Sequence, residues 1–221
     1  RAARDLVDGG IYHILNRGNS RQRVFHKDAD CYAFLALFRE MQENYGIELY
    51  AYCLMPNHFH LVVKIARGDD LSMGMRWFTT THVRRHHKHY RTSGHLWQGR
   101  YKSFWIDDDE HLLTMIRYVE GNPVRAELVE TATGWVWSSH RERCGLEIGN
   151  KKGDCPSLFK GLSPEAENVQ KRLPPTVRSP LISPLPVSFS GDWTEFVDTP
   201  LTGKELGRVK KKIERQTKVR E

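Results

Sequence analysis

The distribution of proline is the feature that most limits how this chain can fold. Eight of the ten prolines lie between residues 156 and 200, in a stretch with little periodic apolar patterning before Trp193. Proline lacks a backbone N–H and fixes φ, so such a segment favours an extended chain over helices or inner strands. We therefore predict a folded domain over residues 1–149, a proline-rich extended segment over 150–200, and a basic tail over 201–221 whose apolar residues have helical spacing.

Apolar periodicity within the first 149 residues alternates between that of strands and that of helices. Strands are predicted over 11–16, 48–55, 58–66 and 98–105, and helices over 28–45, 71–89 and 107–121. A Pro-Asn pair at residues 56–57 joins two of the strands into an antiparallel hairpin. Strands and helices interleaved around such a hairpin indicate an α+β fold, with a central antiparallel sheet flanked by helices.

Charge, hydropathy and cysteine content indicate which partners and which cellular compartment suit this chain. The formal net charge of +7 favours a polyanionic partner. No run of residues approaches the roughly 20 apolar residues that cross a bilayer, so we expect no membrane partner. The four cysteines, none in a C-x-x-C pair, belong to a chain too large to depend on disulfides. They are typical of reduced thiols in a cytoplasmic protein.

His58 and His60 begin a strand whose side chains alternate strictly between apolar and mixed positions. Because side chains alternate across a strand, both imidazoles face the same side, with backbones about 7 Å apart. That spacing lets two rings bind one metal ion. It equally suits two polar residues on a solvated strand face, and the motif alone leaves both interpretations open.

Tyr118 and Asn122 lie together at the border of the apolar stripe of the last predicted helix. The stripe consists of Leu112, Met115, Ile116 and Val119. At about 100° per residue, Tyr118 and Asn122 differ by only about 40°, so a phenol and an amide emerge side by side. Pro123 disfavours helical geometry at the residue before it. Tyr118 taken alone is also typical of a tyrosine at the edge of a core.

Residues 82–102 form a strongly basic stretch. They include four Arg, two Lys and five His, and no acidic residue. The aromatic residues Tyr90, Trp97 and Tyr101 lie among the cations. Cations neutralise phosphates and aromatic rings stack on unpaired bases in single-stranded nucleic-acid sites. This stretch therefore favours nucleic acid as the partner over a merely solvated basic face.

Several segments, taken in order, resemble one known family. They are ILNRGNSRQRVF (14–25), YAYCLMPNHFHLVV (50–63), the stretch 75–104, LLTMIRYVEGNPVRAELV (112–129) and WVWSS (135–139). Together they are similar to the bacterial REP-associated tyrosine transposases, relatives of the IS200/IS605 transposases among the HUH single-strand nucleases. The resemblance spans about residues 10–145, with a weaker similarity over 192–206. It implies an HUH fold of the RNA-recognition or ferredoxin-like type.

The resemblance also implies a chemistry and a substrate. Tyr118 would be the nucleophile of a metal-dependent single-strand DNA endonuclease and strand transferase that binds REP-type hairpins, and His58, His60 and Asn122 would bind the metal. Ligand type alone favours Mn²⁺ or Zn²⁺, whereas the family resemblance implies Mg²⁺ or Mn²⁺. The residues implied to contact DNA are Arg17, Asn19, Arg21, Arg84, Arg85, Lys88, Arg100 and Lys102. Glu127 departs from the pattern, because such proteins usually carry glycine there.

Two other functions are compatible with parts of this sequence. A catalytically silent protein that binds DNA hairpins would explain the basic stretch, but not the paired imidazoles. A zinc enzyme of another class, taking a third histidine from residues 82–95, would leave Tyr118 dispensable. The sequence does not distinguish a monomer from a homodimer.

Overall fold

The structure, a computed structural model, describes residues 6–146 and 181–218. Its strands are β1 (Ile11–Arg17), β2 (Glu48–Met55), β3 (His58–Lys64) and β4 (Lys102–Ile106). Its helices are α1 (Asp28–Tyr45), α2 (Gly68–Tyr90), α3 (Asp109–Glu120), α4 (Asn122–Arg125), α5 (Ser139–Arg143), α6 (Trp193–Asp198) and α7 (Gly203–Lys218). Helix α1 connects β1 to β2, and α2 connects β3 to β4.

The four strands form one sheet in the order β2-β3-β1-β4, and every neighbouring pair is antiparallel. Strand β3 lies between β1 and β2, and β1 lies between β3 and β4, which is the split β-α-β arrangement of ferredoxin-like folds. The predicted α+β fold with a central antiparallel sheet is therefore confirmed. Because β1 and β3 are the inner strands, polar side chains on them are held more rigidly than those on an edge.

The two faces of the sheet are covered by different helices. Helices α1 and α2 pack on the face to which Phe59 points, where its ring lies 5.1 Å from that of Phe34 and 6.4 Å from that of Phe78. Helix α3 covers the opposite face, where the ring of Tyr118 lies 5.9 Å from that of His60. The alternation of β3 thus separates the face where Phe59 packs against aromatic side chains from the face that carries His58 and His60.

Most of the predicted element bounds lie within three residues of those in the structure. The bounds of α1 are those predicted, and Gly46 ends it in the left-handed region with φ 60°. Helix α3 begins later than predicted because Asp108 caps it, accepting a hydrogen bond from the backbone N–H of His111.

The prediction of one strand over 98–105 is wrong. The backbone N–H of Gln98 donates to the carbonyl of Arg17, at 2.9 Å. The carbonyl of Gly99 then accepts from the side chain of Asn16, at 3.1 Å, instead of from a strand. The chain therefore leaves the ladder at this point and rejoins it only at β4.

The chain beyond residue 181 packs back onto the domain. The backbone N–H of Ser183 donates to the carbonyl of Leu49, at 2.7 Å, and Val197 of α6 and Val209 of α7 are buried. The predicted apolar side of the tail thus faces α3 and β4. Residues 147–180, most of the predicted proline-rich segment, lie outside the described residues, so the division at residue 149 stays a prediction.

The described residues also show whether a helix could span a membrane and whether the cysteines are paired. Within them, no helix is both long and apolar enough to cross a membrane. Cys31, Cys53 and Cys144 are free thiols, and the first two are buried. Burial raises the pKa of the Cys53 thiol, so it stays protonated and behaves as a small apolar side chain.

Candidate active site

The structure brings together three of the four residues predicted for catalysis and metal binding. The rings of His58 and His60 lie 5.0 Å apart, centroid to centroid, on the face of β3 that α3 covers. The ring of Tyr118 stands nearly perpendicular to that of His60, with centroids 5.9 Å apart. Tyr118 is half-buried, so its ring packs on the site while part of it stays open to solvent.

A neighbouring amide fixes which nitrogen of His58 is protonated. The side-chain amide nitrogen of Asn57 donates to the carbonyl of Arg21, at 3.0 Å, so its oxygen points toward the imidazole. That oxygen lies 2.7 Å from Nδ1 of His58 and can only accept a hydrogen bond. Nδ1 of His58 therefore carries the proton, and Nε2 is left to bind a ligand.

A third histidine, His13 of β1, contacts His60. Its Nε2 lies 2.9 Å from Nδ1 of His60, and the two rings are nearly parallel. Sequence reasoning missed His13 because its place depends on strand register. The pairing of His13 with Val62 puts it on the same face as His60, and only the order of the strands reveals that pairing.

All three imidazoles are neutral at pH 7. Burial, reinforced by Arg17, lowers the pKa of His58 to about 4. Burial also lowers the pKa of His13 to about 3 and that of His60 well below its usual range. Desolvation disfavours the charged form of a base, and a neutral imidazole is the form that binds metal ions.

Asn122 follows Tyr118 by one helical turn. The backbone N–H of Gly121 donates to the carbonyl of Arg117, and that of Arg125 to the carbonyl of Gly121, so the chain continues to turn between α3 and α4. Pro123 lies in the first turn of α4, where its missing N–H costs nothing. The side-chain nitrogen of Asn122 is buried and has no hydrogen-bond partner among the described residues. This nitrogen is a hydrogen-bond donor, and a cation would bind instead to the carbonyl oxygen of the same amide.

Arg125 is a further member of the site that sequence reasoning did not single out. Although the residue is exposed as a whole, its guanidinium carbon lies 4.4 Å from the centroid of the Tyr118 ring. The same guanidinium donates to the backbone carbonyl of Tyr118. A cation over the face of a phenol stabilises negative charge on its oxygen.

Comparison with known proteins shows the family to which this chain belongs. The family described as "Transposase IS200 like" matches residues 7–122, which include both histidines, Tyr118 and Asn122. The chain belongs to the IS200-like transposase family. A REP-associated tyrosine transposase of Haemophilus influenzae is 28% identical over 156 residues, which cover 66% of this chain and 88% of that protein.

A solved structure supports the fold of this IS200-like transposase. The structure of a REP-associated tyrosine transposase bound to a REP hairpin matches it with a TM-score of 0.53 and 20% identity. The match covers 74% of this chain and 99% of the other. The predicted family and the predicted fold are both confirmed.

The residues of this IS200-like transposase fit a divalent metal. His58 keeps Nε2 for a ligand, His60 is a second neutral imidazole beside it, and the side-chain amide of Asn122 supplies a third polar group. Within the described ranges, no group of three or more His, Cys, Asp or Glu is arranged to hold a metal ion. The amide is therefore needed to complete the set of His58, His60 and Asn122, which stays a prediction.

The alternative of a zinc site with a third histidine from residues 82–95 finds no support in α2. That helix carries four of the five candidate histidines and packs on the opposite face of the sheet. The ring of His82, for example, lies 5.2 Å from that of Phe34 and 5.4 Å from that of Trp97. The sheet itself separates these rings from His58 and His60.

The loops that carry predicted DNA contacts meet at the end of the sheet where His58 lies. The backbone N–H of Gly18 donates to the carbonyl of Asn57, at 2.7 Å. The N–H of Asn19 donates to the carbonyl of Leu96, at 2.9 Å. All eight predicted residues are exposed, namely Arg17, Asn19, Arg21, Arg84, Arg85, Lys88, Arg100 and Lys102.

The aromatic residues of the basic stretch have a different role from the one expected. Trp97 and Tyr101 are buried, so the expectation that they stack on bases is wrong. Trp97 packs edge-on against Phe59, with centroids 5.3 Å apart. The hydroxyl of Tyr90 donates to Asp30, at 2.7 Å, which joins α2 to α1. These rings support the basic surface from beneath.

Proposed function

We propose that this IS200-like transposase cleaves and rejoins single-stranded DNA beside REP-type hairpins, with Tyr118 as the nucleophile. The observation that carries the proposal is the position of the Tyr118 ring, 5.9 Å from His60, whose own ring lies 5.0 Å from His58. A solved relative whose description names a bound REP hairpin supports the substrate class. Membership of the IS200-like family supports the reaction class.

The reaction is an exchange of phosphodiesters. The phenolic oxygen of Tyr118 attacks the scissile phosphorus and loses its proton, and a new O–P bond forms. The bond from phosphorus to the 3′ oxygen breaks, and that oxygen leaves with a proton as a free 3′-hydroxyl. The product is a 5′-phosphotyrosine. Attack on it by a second 3′-hydroxyl reverses the exchange and joins strands without hydrolysis.

Each residue of the site has a distinct role in this scheme. His58, His60 and Asn122 would hold Mg²⁺ or Mn²⁺. When bound, the ion would polarise the phosphate and stabilise charge on the leaving oxygen. Arg125 stabilises the phenolate of Tyr118 from the face of its ring, because a free phenol, with a pKa of about 10, is a weak nucleophile.

The test is formation of a covalent protein–DNA adduct that survives denaturation. Full-length protein is mixed with an end-labelled single-stranded hairpin that carries a short unpaired flank, with Mg²⁺ or Mn²⁺. We expect an adduct with the wild type and with Tyr45→Phe, a matched control on α1. We expect none with Tyr118→Phe or His58→Ala, while Tyr118→Phe still binds the hairpin.

Two outcomes would contradict this proposal. An adduct that persists in Tyr118→Phe would assign the nucleophile to another residue. Tight hairpin binding by the wild type, without an adduct under either metal, would favour the catalytically silent hairpin-binding protein.

The DNA surface is tested through salt dependence. Replacing Arg84 and Arg85 by alanine should weaken hairpin binding and reduce the slope of log K against log salt by about 1 to 2, because each neutralised phosphate releases counterions. Arg76→Ala, on the first half of the same helix, is the control and should leave the slope unchanged. An unaltered affinity and slope in the double variant would remove both residues from the DNA surface.

A further inference from the structure

Among the described residues His13 has one polar contact, and that contact is with a predicted metal ligand. The residue is fully buried, with 0% of its surface exposed. Its Nε2 lies 2.9 Å from Nδ1 of His60, whereas its Nδ1 has no hydrogen-bond partner in the described part of the chain. Burying an imidazole whose Nδ1 has no partner costs free energy of folding, so the position of His13 needs an explanation other than stability.

We infer that His13 is a positioning residue, which accepts a hydrogen bond from Nδ1–H of His60 and so keeps Nε2 of His60 free of a proton and available to the metal. This inference rests on the proposed function, because it assigns His13 a role toward the metal that His58 and His60 would hold.

The chemistry of two neutral imidazoles leaves only two arrangements of the shared proton. In one, His60 donates from Nδ1, its Nε2 carries a lone pair, and His13 holds its own proton on the unpartnered Nδ1. In the other, His13 donates from Nε2, and His60 carries its proton on Nε2, where it blocks a metal ion. Metal binding at His60 therefore selects the arrangement in which His13 accepts.

His58 makes a comparable hydrogen bond, in which the partner is the side-chain amide of Asn57. The oxygen of Asn57, 2.7 Å from Nδ1 of His58, can only accept, so the proton position on His58 is fixed. Metal-binding histidines commonly donate their second N–H to such an acceptor, and its loss weakens metal affinity by about 10- to 100-fold. His13 fills the corresponding place for His60, at the centre of the sheet.

A role for His13 as a third ligand does not fit its surroundings. Its Nε2 is already in contact with His60, and its Nδ1 is buried without a hydrogen-bond partner among the described residues. A role in packing alone makes a different prediction, because a phenylalanine of similar shape would then serve equally well.

The experiment measures Mn²⁺ affinity of the full chain from the electron paramagnetic resonance signal of free Mn²⁺, without DNA. His13→Phe keeps a planar ring but removes the acceptor, and we expect Mn²⁺ to bind about 10- to 100-fold more weakly. His13→Gln supplies an amide oxygen as acceptor and should bind Mn²⁺ nearly as well as the wild type. Hairpin affinity without metal should be the same in both variants, which controls for folding.

His58→Ala separates failure of this inference from failure of the proposed function. If His58→Ala binds Mn²⁺ as the wild type does, the metal site itself is wrong. If His58→Ala weakens binding but His13→Phe does not, or if His13→Gln weakens it as much as His13→Phe, the role of His13 is overturned.

A second measurement applies where His13→Phe does not fold. In wild-type protein labelled with ¹⁵N-histidine and saturated with Mg²⁺, nuclear magnetic resonance should show His60 protonated at Nδ1 and not at Nε2. A proton on Nε2 of His60 under these conditions would overturn the inference.

Discussion

The side chain of Tyr118 lies between a cation and a pair of neutral imidazoles. Arg125 covers one face of the phenol, at 4.4 Å, and His60 meets the ring edge-on. The two sides would have different roles in the proposed attack on phosphorus. The imidazoles would hold the ion that acts on the phosphate, whereas the guanidinium lies over the ring whose oxygen would attack.

Replacing Arg125 by methionine should therefore slow adduct formation more than it weakens DNA binding. We expect a decrease in rate of roughly 100- to 1,000-fold, the range for removal of one donor that stabilises developing negative charge in an active site. Arg125→Lys keeps a cation and should recover part of the rate. Arg208→Met, which removes an exposed arginine paired with Glu110 at 3.5 Å, is the control. Equal rates for Arg125→Met and the control would exclude the role.

Single residues of the site differed in how far the sequence could predict them. His58 and His60 share a face because a strand alternates, and Tyr118 and Asn122 share a border because a helix has a period of 3.6 residues. These are local rules. The places of His13 and Arg125 depend on strand register and on the turn after α3, which local periodicity does not determine.

Among the elements, α4 ends in a conformation that suits glycine better than the residue present. The backbone N–H of Leu128 donates to the carbonyl of Pro123, and that of Glu127 to the carbonyl of Val124. This is the Schellman pattern, in which the residue after the cap adopts the left-handed region. Glu127 does so with φ 54°. The departure from glycine noted in the sequence thus falls where it strains the backbone.

Glu127→Gly should raise the free energy of unfolding by about 0.5 to 1 kcal/mol, because glycine adopts positive φ without the penalty of a Cβ. The measurement is urea denaturation. Gly46→Ala, at φ 60° after α1, makes the reverse change and should lower stability by a similar amount. A loss of stability in Glu127→Gly would show that the carboxylate makes a contact worth more than the strain.

The ends of helices and strands were predictable where the residues at those ends have a clear preference for them. Helix α1 has acidic residues in its first turn and glycine after its last. Strand β4 was misjudged because the side chain of Asn16, on a different strand, takes the carbonyl of Gly99. No pattern within residues 98–105 carries that information.

Across the whole molecule, the buried carboxylate of Glu120 joins three helices beside the site. It accepts hydrogen bonds from Ser139, at 2.7 Å, and Arg143, at 3.1 Å, of α5, and from Trp193 of α6, at 2.8 Å. Burial alone would raise the pKa of Glu120, but these donors and His140 hold it below its usual range. The end of α3, two residues beyond Tyr118, is fixed in this way.

Glu120→Gln should lower the free energy of unfolding by about 3 kcal/mol, because the partly buried Arg143 loses its charge partner. The new amide N–H₂ group would also face side chains that already donate hydrogen bonds to this position. Because the folded pKa of Glu120 is lowered, its stabilisation is present above about pH 4.3 and is lost as pH falls below it. Urea denaturation at pH 7 and pH 3.5 should therefore show a smaller difference between the two proteins at pH 3.5. Glu110→Gln, exposed on α3, is the control and should change stability little.

The phenol, both imidazoles and the guanidinium all come from a single chain. Two inactive variants, one lacking the hydroxyl of Tyr118 and the other the ring of His58, should therefore not complement each other. Mixing the purified Tyr118→Phe and His58→Ala proteins should restore no adduct, and co-expressing the two alleles should leave a cell as deficient as either alone. Adduct formation by the mixture would mean instead that helices are exchanged between subunits and that the active form is a dimer.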